Sequence, residues 1–222
     1  MRVALDEGAQ RCKRWMAQWR HAPARPRRIV ERGEITTRPG SRHDLFNALA
    51  WLAFPRTKLA LSELHVGAAA AQGENRRGAV RDAATLLDEH GAVAITDAPE
   101  LFALWRAHAW RELFEERRAA VARHLRIAVM GHGLLVKLLA PYPALTAKVL
   151  LVHTSLPRAG GGDDAAAVLD PIAARSLELR GSSFSPADLV PLPVSAWPDW
   201  DPANAGPRRF DDARVFRPAP VR

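Results

Sequence analysis

Residues 43–54 are the most apolar stretch of the chain, and they stop at a proline. The run His43-Asp44-Leu45-Phe46-Asn47-Ala48-Leu49-Ala50-Trp51-Leu52-Ala53-Phe54 is too long for an average strand, and its alanine and leucine content favours helix. On a helix, Leu45, Leu49 and Leu52 share one face, and His43, Asn47, Trp51 and Phe54 share the other, with Asp44 beside them. A helix apolar nearly all round is a buried helix, so the fold must be built about it. Its few polar groups must then find partners inside. Pro55 breaks or restarts it, and a second helix runs from Arg56 to about His65.

The remaining pattern is largely helical. Arg28 to Thr37 places two β-branched runs about Gly33 and predicts a β-hairpin. Small residues and a Gly/Asn/Arg cluster predict a loop over 67–78. Residues 79–90 form a helix with Val80, Ala84 and Leu87 on one side and Arg81, Asp82, Thr85, Asp88 and Glu89 on the other. Gly91 caps it, and Ala92–Thr96 reads as a short buried strand. Asp97 and Glu100 resemble a capping box before helices at about 98–107 and 110–125. Helices follow over 132–139, 143–152 and 165–179. Eight of the 17 prolines fall between 186 and 220, which predicts an extended tail whose apolar residues, among them Leu192, Trp200 and Phe216, pin it to the surface. The expected fold is thus α+β: one mostly helical domain over 28–185, with a hairpin and short strands. A basic helix and linker (1–27) precede it, and a proline-rich tail (186–222) follows.

Charge narrows the partners. The net charge is +8, and the sequence pI is near 10.8. Lysine occurs only at 13, 58, 137 and 148, so arginine dominates, as it does where a GC-rich genome enriches it without selection for binding. Residues 1–42 hold eleven cations and four anions, whereas the remainder is nearly neutral. A basic groove across the whole domain is therefore disfavoured, and an acidic partner such as nucleic acid would be met through residues 1–42. The helix expected over 1–21 carries Cys12, Trp15, Met16 and Trp19 as one apolar stripe. Cys12 is the lone cysteine, so an internal disulfide and a zinc ribbon are both excluded. The start is not a secretory signal, and no stretch approaches the roughly 18 apolar residues of a membrane span. These features suit a cytoplasmic protein.

Three groups can carry chemistry. His43, Asp44 and Asn47 cluster at the start of the apolar helix, where imidazole and carboxylate suit a divalent metal or acid–base work. The same residues can equally cap the helix and satisfy buried backbone. Asp82, Asp88 and Glu89 can bind Mg²⁺ or Mn²⁺, or simply be solvated and paired. Gly131-His132-Gly133 opens a helix, where free N–H groups can hold an anion and His132 can act as base or ligand. The glycines can also serve only a tight turn. Arg56, Lys58, Lys137 and Lys148 are the cationic candidates, and Arg56, Lys58 and Lys137 are the expected anion-binding residues. Asp211 and Asp212 can close over a site or pair with nearby arginines. No nucleophilic-serine elbow is present.

Several ordered segments carry a family likeness. They include His43-Asp44-Leu45-Phe46-Asn47-Ala48-Leu49, Trp51 to Lys58, Arg81-Asp82-Ala83, Leu87-Asp88-Glu89, Gly131-His132, Leu145-Thr146-Ala147-Lys148, Pro191-Leu192-Pro193-Val194 and Phe210-Asp211-Asp212. Together they resemble the bacterial domain of unknown function 3025 family, from about residue 28 to 218. The resemblance implies kinship and carries no activity with it. The residues themselves point to a metal-assisted hydrolase, acting on a phosphate ester. His43, Asp44, Asn47 and His132 would be catalytic, His43, Asp44, Asp82 and His132 would be the ligands of a divalent metal, and Arg56, Lys58 and Lys137 would hold the anion. The competing expectation is a non-enzymatic binding or scaffolding protein, whose polar groups only hold the core together.

Overall fold

The computed structural model of the protein describes residues 26–35, 37–72, 78–156, 165–197 and 209–219. The helix expected over 1–21 and the side chain of Trp200 lie outside the described residues. The first described element is a helix, α1 (Pro26–Arg32), where the sequence predicts part of a hairpin. Pro26 presets the helical φ at the first position. Gly33, at φ 64°, closes the helix rather than turning a hairpin, and its N–H donates to the Ile29 carbonyl at 2.9 Å. Ile29 is thereby buried with Ile35 and Trp51 in a small apolar cluster.

Helices α2 (Arg42–Ala53) and α3 (Pro55–Gln72) follow, with the restart at Pro55 that the sequence predicts. Burial of α2 is one-sided. Trp51 and the adjoining Phe54 enter the core, but Leu45, Leu49 and Leu52 are 54, 45 and 47% exposed. Among the described residues, only its inner face meets a neighbour. Helix α3 runs on through part of the expected loop, because Ala68 to Ala71 are the strongest helix formers available.

Helix α4 (Ala79–His90) turns Val80, Ala83, Ala84 and Leu87 inward and passes without a loop into β1 (Gly91–Thr96), all six residues of which are buried. Gly91 ends the helix in extended backbone because it also begins the strand. Helix α5 (Pro99–Arg106) lacks the expected capping box: Ala98 is the N-cap, and Asp97 pairs with His124 at 2.9 Å. A π turn over Glu112–Glu116, then α6 (Arg118–His124) and β2 (Leu125–Val129), replace the single helix predicted over 110–125. Helix α7 (His132–Lys137) is short. Strand β3 (Thr146–His153) stands where the sequence predicts a helix. Its apolar run, Val149 to Val152, is short and unbroken, and periodicity does not separate a buried strand of that kind from a buried helix. Helix α8 (Ala165–Arg180) and strand β4 (Leu189–Pro193) complete the order.

The architecture is α+β, with one four-stranded sheet in the order β2-β1-β3-β4. Strand β1 pairs antiparallel with β2 and parallel with β3, and β3 pairs antiparallel with β4. Alternation divides the core between the two faces. Ala92, Ala94, Val149 and Leu151 meet Trp105 and Phe114, whereas Val93, Ile95 and Leu150 meet Phe54, Leu87 and Leu169. The proline-rich stretch after 186 thus supplies an edge strand, the position that tolerates Pro191 because proline lacks an N–H. Leu192 and Phe216 join the first core.

A long-range cap ties the layers together. Buried Asp170 of α8 accepts the N–H groups of Arg56 at 3.1 Å and Thr57 at 2.8 Å at the start of α3, and also the Thr57 hydroxyl at 2.8 Å. Burial pushes the Asp170 carboxyl up, and the hydrogen bonds from Thr57 oppose that. Among the described residues no helix is long and apolar enough to cross a membrane.

Candidate metal centre

The N-terminus of α2 is built by a turn at Gly40 and an N-cap at Ser41, whose hydroxyl accepts the Asp44 N–H at 3.2 Å. The Asp44 carboxylate is turned away from His43. It accepts the backbone N–H of Arg38 at 2.6 Å, its Nε at 3.0 Å and its Nη2 at 2.9 Å. The guanidinium holds the Asp44 pKa down to about 2, from an ordinary 3.8, chiefly by its hydrogen bonds. Asp44 thus anchors the turn from which His43 projects. Stability from this pair is present above the ordinary value and is lost as pH falls through about 2. Asp44→Asn is therefore expected to lower the denaturant midpoint at neutral pH, with the gap to the wild type closing toward pH 2. A gap independent of pH would refute the ion-pair account.

His43 meets His132, from the first position of α7, in a T-shaped contact with ring centroids 4.5 Å apart. Their Nε2 atoms are 3.1 Å apart. Glu89, one residue before the end of α4, brings Oε1 to 3.4 Å from the His132 Nε2 and 3.9 Å from the His43 Nε2. One ligand atom from each of His43, Glu89 and His132 lies within 4.8 Å of the others. An ion bonded to tetrahedral donors at about 2.0–2.1 Å holds them about 3.3–3.4 Å apart. The observed separations bracket that value.

The proton inventory is equally informative. His132 Nδ1 lies 2.8 Å from the Asp88 carbonyl, which can only accept, so Nδ1 carries the proton and donates it. In a neutral ring that leaves the Nε2 lone pair facing a second imidazole nitrogen and a carboxylate oxygen. Three electron-rich atoms converging this way need positive charge among them, supplied by a proton or a cation. A carbonyl that fixes the tautomer of a ligating histidine is the usual outer support of a metal site. When a proton supplies that charge, the doubly protonated His132 donates through Nε2 to Glu89 and holds its carboxyl below the usual range, against burial.

Behind the cluster, the Lys58 ammonium is nearly fully buried. It donates to Asp88 Oδ1 at 2.5 Å and Asn47 Oδ1 at 2.8 Å and lies over the Trp51 ring. Asn47 and Lys58 therefore act on His132 through Asp88, whose Oδ2 stands 3.7 Å from the His132 Nδ1. Lys58 does not face solvent, where an anion would have to reach it. Arg56 is exposed; its backbone N–H donates to Asp170, and its charge helps to hold the Asp170 carboxyl down. Lys137 is exposed and donates to the His90 Nε2 at 2.8 Å, on the rim beside Glu89. Asp82 lies about two turns before Glu89 on α4 and is not in the cluster. Asp211 and Asp212 pair with Arg111 and Arg214.

The two glycines flanking His132 are explained by contact. A Cβ at Gly131 would stand 2.2 Å from the Gly91 nitrogen, and one at Gly133 would stand 2.6 Å from Glu89 Oε2. The start of α7 is therefore pressed flat against the end of α4, and the carboxylate lying on it is Glu89 itself. The sequence signal for Glu89 was its place in the acidic group of the last turns of α4, which does not separate it from Asp82 or Asp88. The Asp88 carbonyl has no sequence signal at all.

Residues 17–220 match the family model described as "Protein of unknown function (DUF3025)". No curated protein and no solved structure matches the chain.

Proposed function

The chain belongs to the DUF3025 family, and from that premise we propose that it is a metal-assisted hydrolase acting on a phosphate ester, with His43, Glu89 and His132 holding a divalent ion. The observation that carries this reading is the convergence of two imidazole nitrogens and a carboxylate oxygen, one of those nitrogens freed of its proton by the Asp88 carbonyl. Three protein ligands with an open outer side is the pattern of reactive rather than structural sites. The side chains of His43 and Glu89 are 44 and 33% exposed, which leaves that side to solvent and substrate. A bound ion would supply Lewis acidity and activate water near neutral pH.

The protein's own residues do the positioning. Asp88, whose carboxylate is held by Lys58, itself held by Asn47, fixes the tautomer and direction of His132 through its backbone carbonyl. Arg38 keeps Asp44 engaged, so that His43 alone projects from the turn. Lys137 sets a cation at the rim, where an anionic ester would approach. Burial first and Lys137 next lower the pKa of its neighbour His90 from the ordinary value. Glu89 in this reading occupies the place that Asp44 and Asp82 hold in the expectation from sequence.

The test is direct. Apo-protein loaded with Zn²⁺ or Mn²⁺ is expected to hydrolyse p-nitrophenyl phosphate or its bis-ester in a chelator-sensitive way. Glu89→Gln is expected to lower that rate by about 100-fold or more. Stoichiometric metal uptake with no hydrolysis of either ester would overturn the hydrolase reading and leave the metal site standing.

A further inference from the structure

The edge of the sheet that bears the metal cluster carries a second feature two strands away. β1 begins at Gly91, directly after Glu89 and His90. Gly91 pairs with Lys148 of β3, and Lys148 pairs with Pro191 of β4. Neighbouring strands lie about 4.8 Å apart, so Lys148 stands one strand from the end of α4 and Pro191 stands two. A cavity of about 350 Å³ opens at this end, lined by Lys148, Pro191, His108, Trp110, Arg214 and Arg217 among others.

The charge in this cavity is one-sided. Arg214 is held by Asp212 through paired contacts of 2.9 Å. Lys148 and Arg217 make no ion pair with any described residue. A lysine and an arginine placed together offer a point charge and a planar fork, the combination that grips phosphate oxygens. The wall between them is stiff. The His108 Nδ1 lies 3.0 Å from the Arg217 carbonyl, and the His108 ring stacks on Trp110 at 5.0 Å. Trp110 in turn stacks on Phe114. His108 holds φ at 54°, which among the described residues no other non-glycine does. A strained residue kept in place by a ring stack and a tail contact is the kind of feature that gathers at binding sites.

We infer that this cavity is a phosphate-binding subsite, taking the phosphate group of a small phosphorylated ligand between Lys148 and Arg217. Its volume exceeds that of a bare anion, so part of the ligand carrying the phosphate enters with it. Binding here needs no metal. The inference rests on the hydrolase reading in one respect only: the substrate then carries a second phosphate, about two strands from the group that is cleaved.

The experiment is calorimetric titration of the full chain with inorganic pyrophosphate, once after exhaustive chelation and once after Zn²⁺ loading. Chelated wild-type protein is expected to bind. Lys148→Gln and Arg217→Gln are each expected to weaken that binding about tenfold or more, with unchanged circular dichroism. Both side chains reach solvent, and the backbone carbonyl of residue 217 is kept, so the His108 contact survives the change. Binding seen only after metal loading would overturn the inference while leaving the metal site intact. Equal binding by both variants would also overturn it. Binding to chelated protein that never takes up metal would support the subsite and remove the hydrolase reading.

Discussion

Replacing His132 by alanine is expected to abolish stoichiometric uptake of a divalent ion. The change removes one of the three proposed ligand atoms, and loss even of an outer support costs 10–100-fold in metal affinity, so loss of a ligand is expected to cost about 100-fold or more. Titration with Zn²⁺ and metal analysis after dialysis read the effect. His132 is buried, and its removal also strands the Asp88 carbonyl, at a cost of about 1–3 kcal/mol. His43→Ala separates the two effects, because the His43 side chain is half-exposed and, among the described residues, meets His132 and Glu89 rather than a buried carbonyl. It should lose the metal with little loss of stability. Asp44→Asn and Asp82→Asn should both retain full uptake, since neither carboxylate is in the cluster. Uptake that survives His43→Ala and His132→Ala alike would dismiss this centre.

The second large effect belongs to a glycine. In Gly131→Ala the new Cβ would meet three backbone atoms: Gly91 N at 2.2 Å, His90 C at 2.7 Å and Glu89 O at 2.8 Å. Backbone cannot step aside as a side chain does. The start of β1 and the end of β2 must separate, and the two hydrogen bonds from Met130 and Gly131 to the Gly91 carbonyl go with them. A loss of about 3 kcal/mol is expected, roughly 6–12 °C in Tm for a chain of this size. Gly133→Ala should behave differently. Its nearest contact is the far end of the Glu89 side chain, at 2.6 Å, which can swing away, and the Glu89 carbonyl at 3.0 Å has to give by only a few tenths of an ångström. That variant should keep most of its stability and lose metal affinity, because Glu89 is the group displaced. Thermal unfolding with parallel metal titration distinguishes the pair. Equal losses of stability would count against the packing account.

Elements decided by nearby residues were legible before the structure. The helix over 42–53, its restart at Pro55, the inward face of α4 and the buried strand after Gly91 all follow from period, proline placement and residue type. The reading failed where one local pattern serves two outcomes. Gly33 after β-branched residues suits a hairpin turn and a helix cap alike, and Pro26 with the buried Ile29 tipped it to a cap. Val149 to Val152 suits a buried helix or a buried strand, and partners on both edges made it a strand. Leu45, Leu49 and Leu52 mark α2 as apolar all round, but no described neighbour covers them.

For the site, composition and spacing determined which polar residues stand inside otherwise apolar segments: His43, Asp44, Asn47 and His132. That much is chemistry of the local chain, since each unpaired buried group costs free energy and is kept only for a partner or a task. Which of them meet was decided by the tertiary structure alone. The His132 ring finds its carbonyl 44 residues back and its neighbouring imidazole 89 residues back. Asp44, adjacent in sequence to His43, was drawn off by Arg38, and Glu89 took the third position because glycines let α7 lie flat on α4. Local pattern sets what each residue prefers. Packing of α2, α4 and α7 about the end of one sheet sets the distances, and coordination depends on distance.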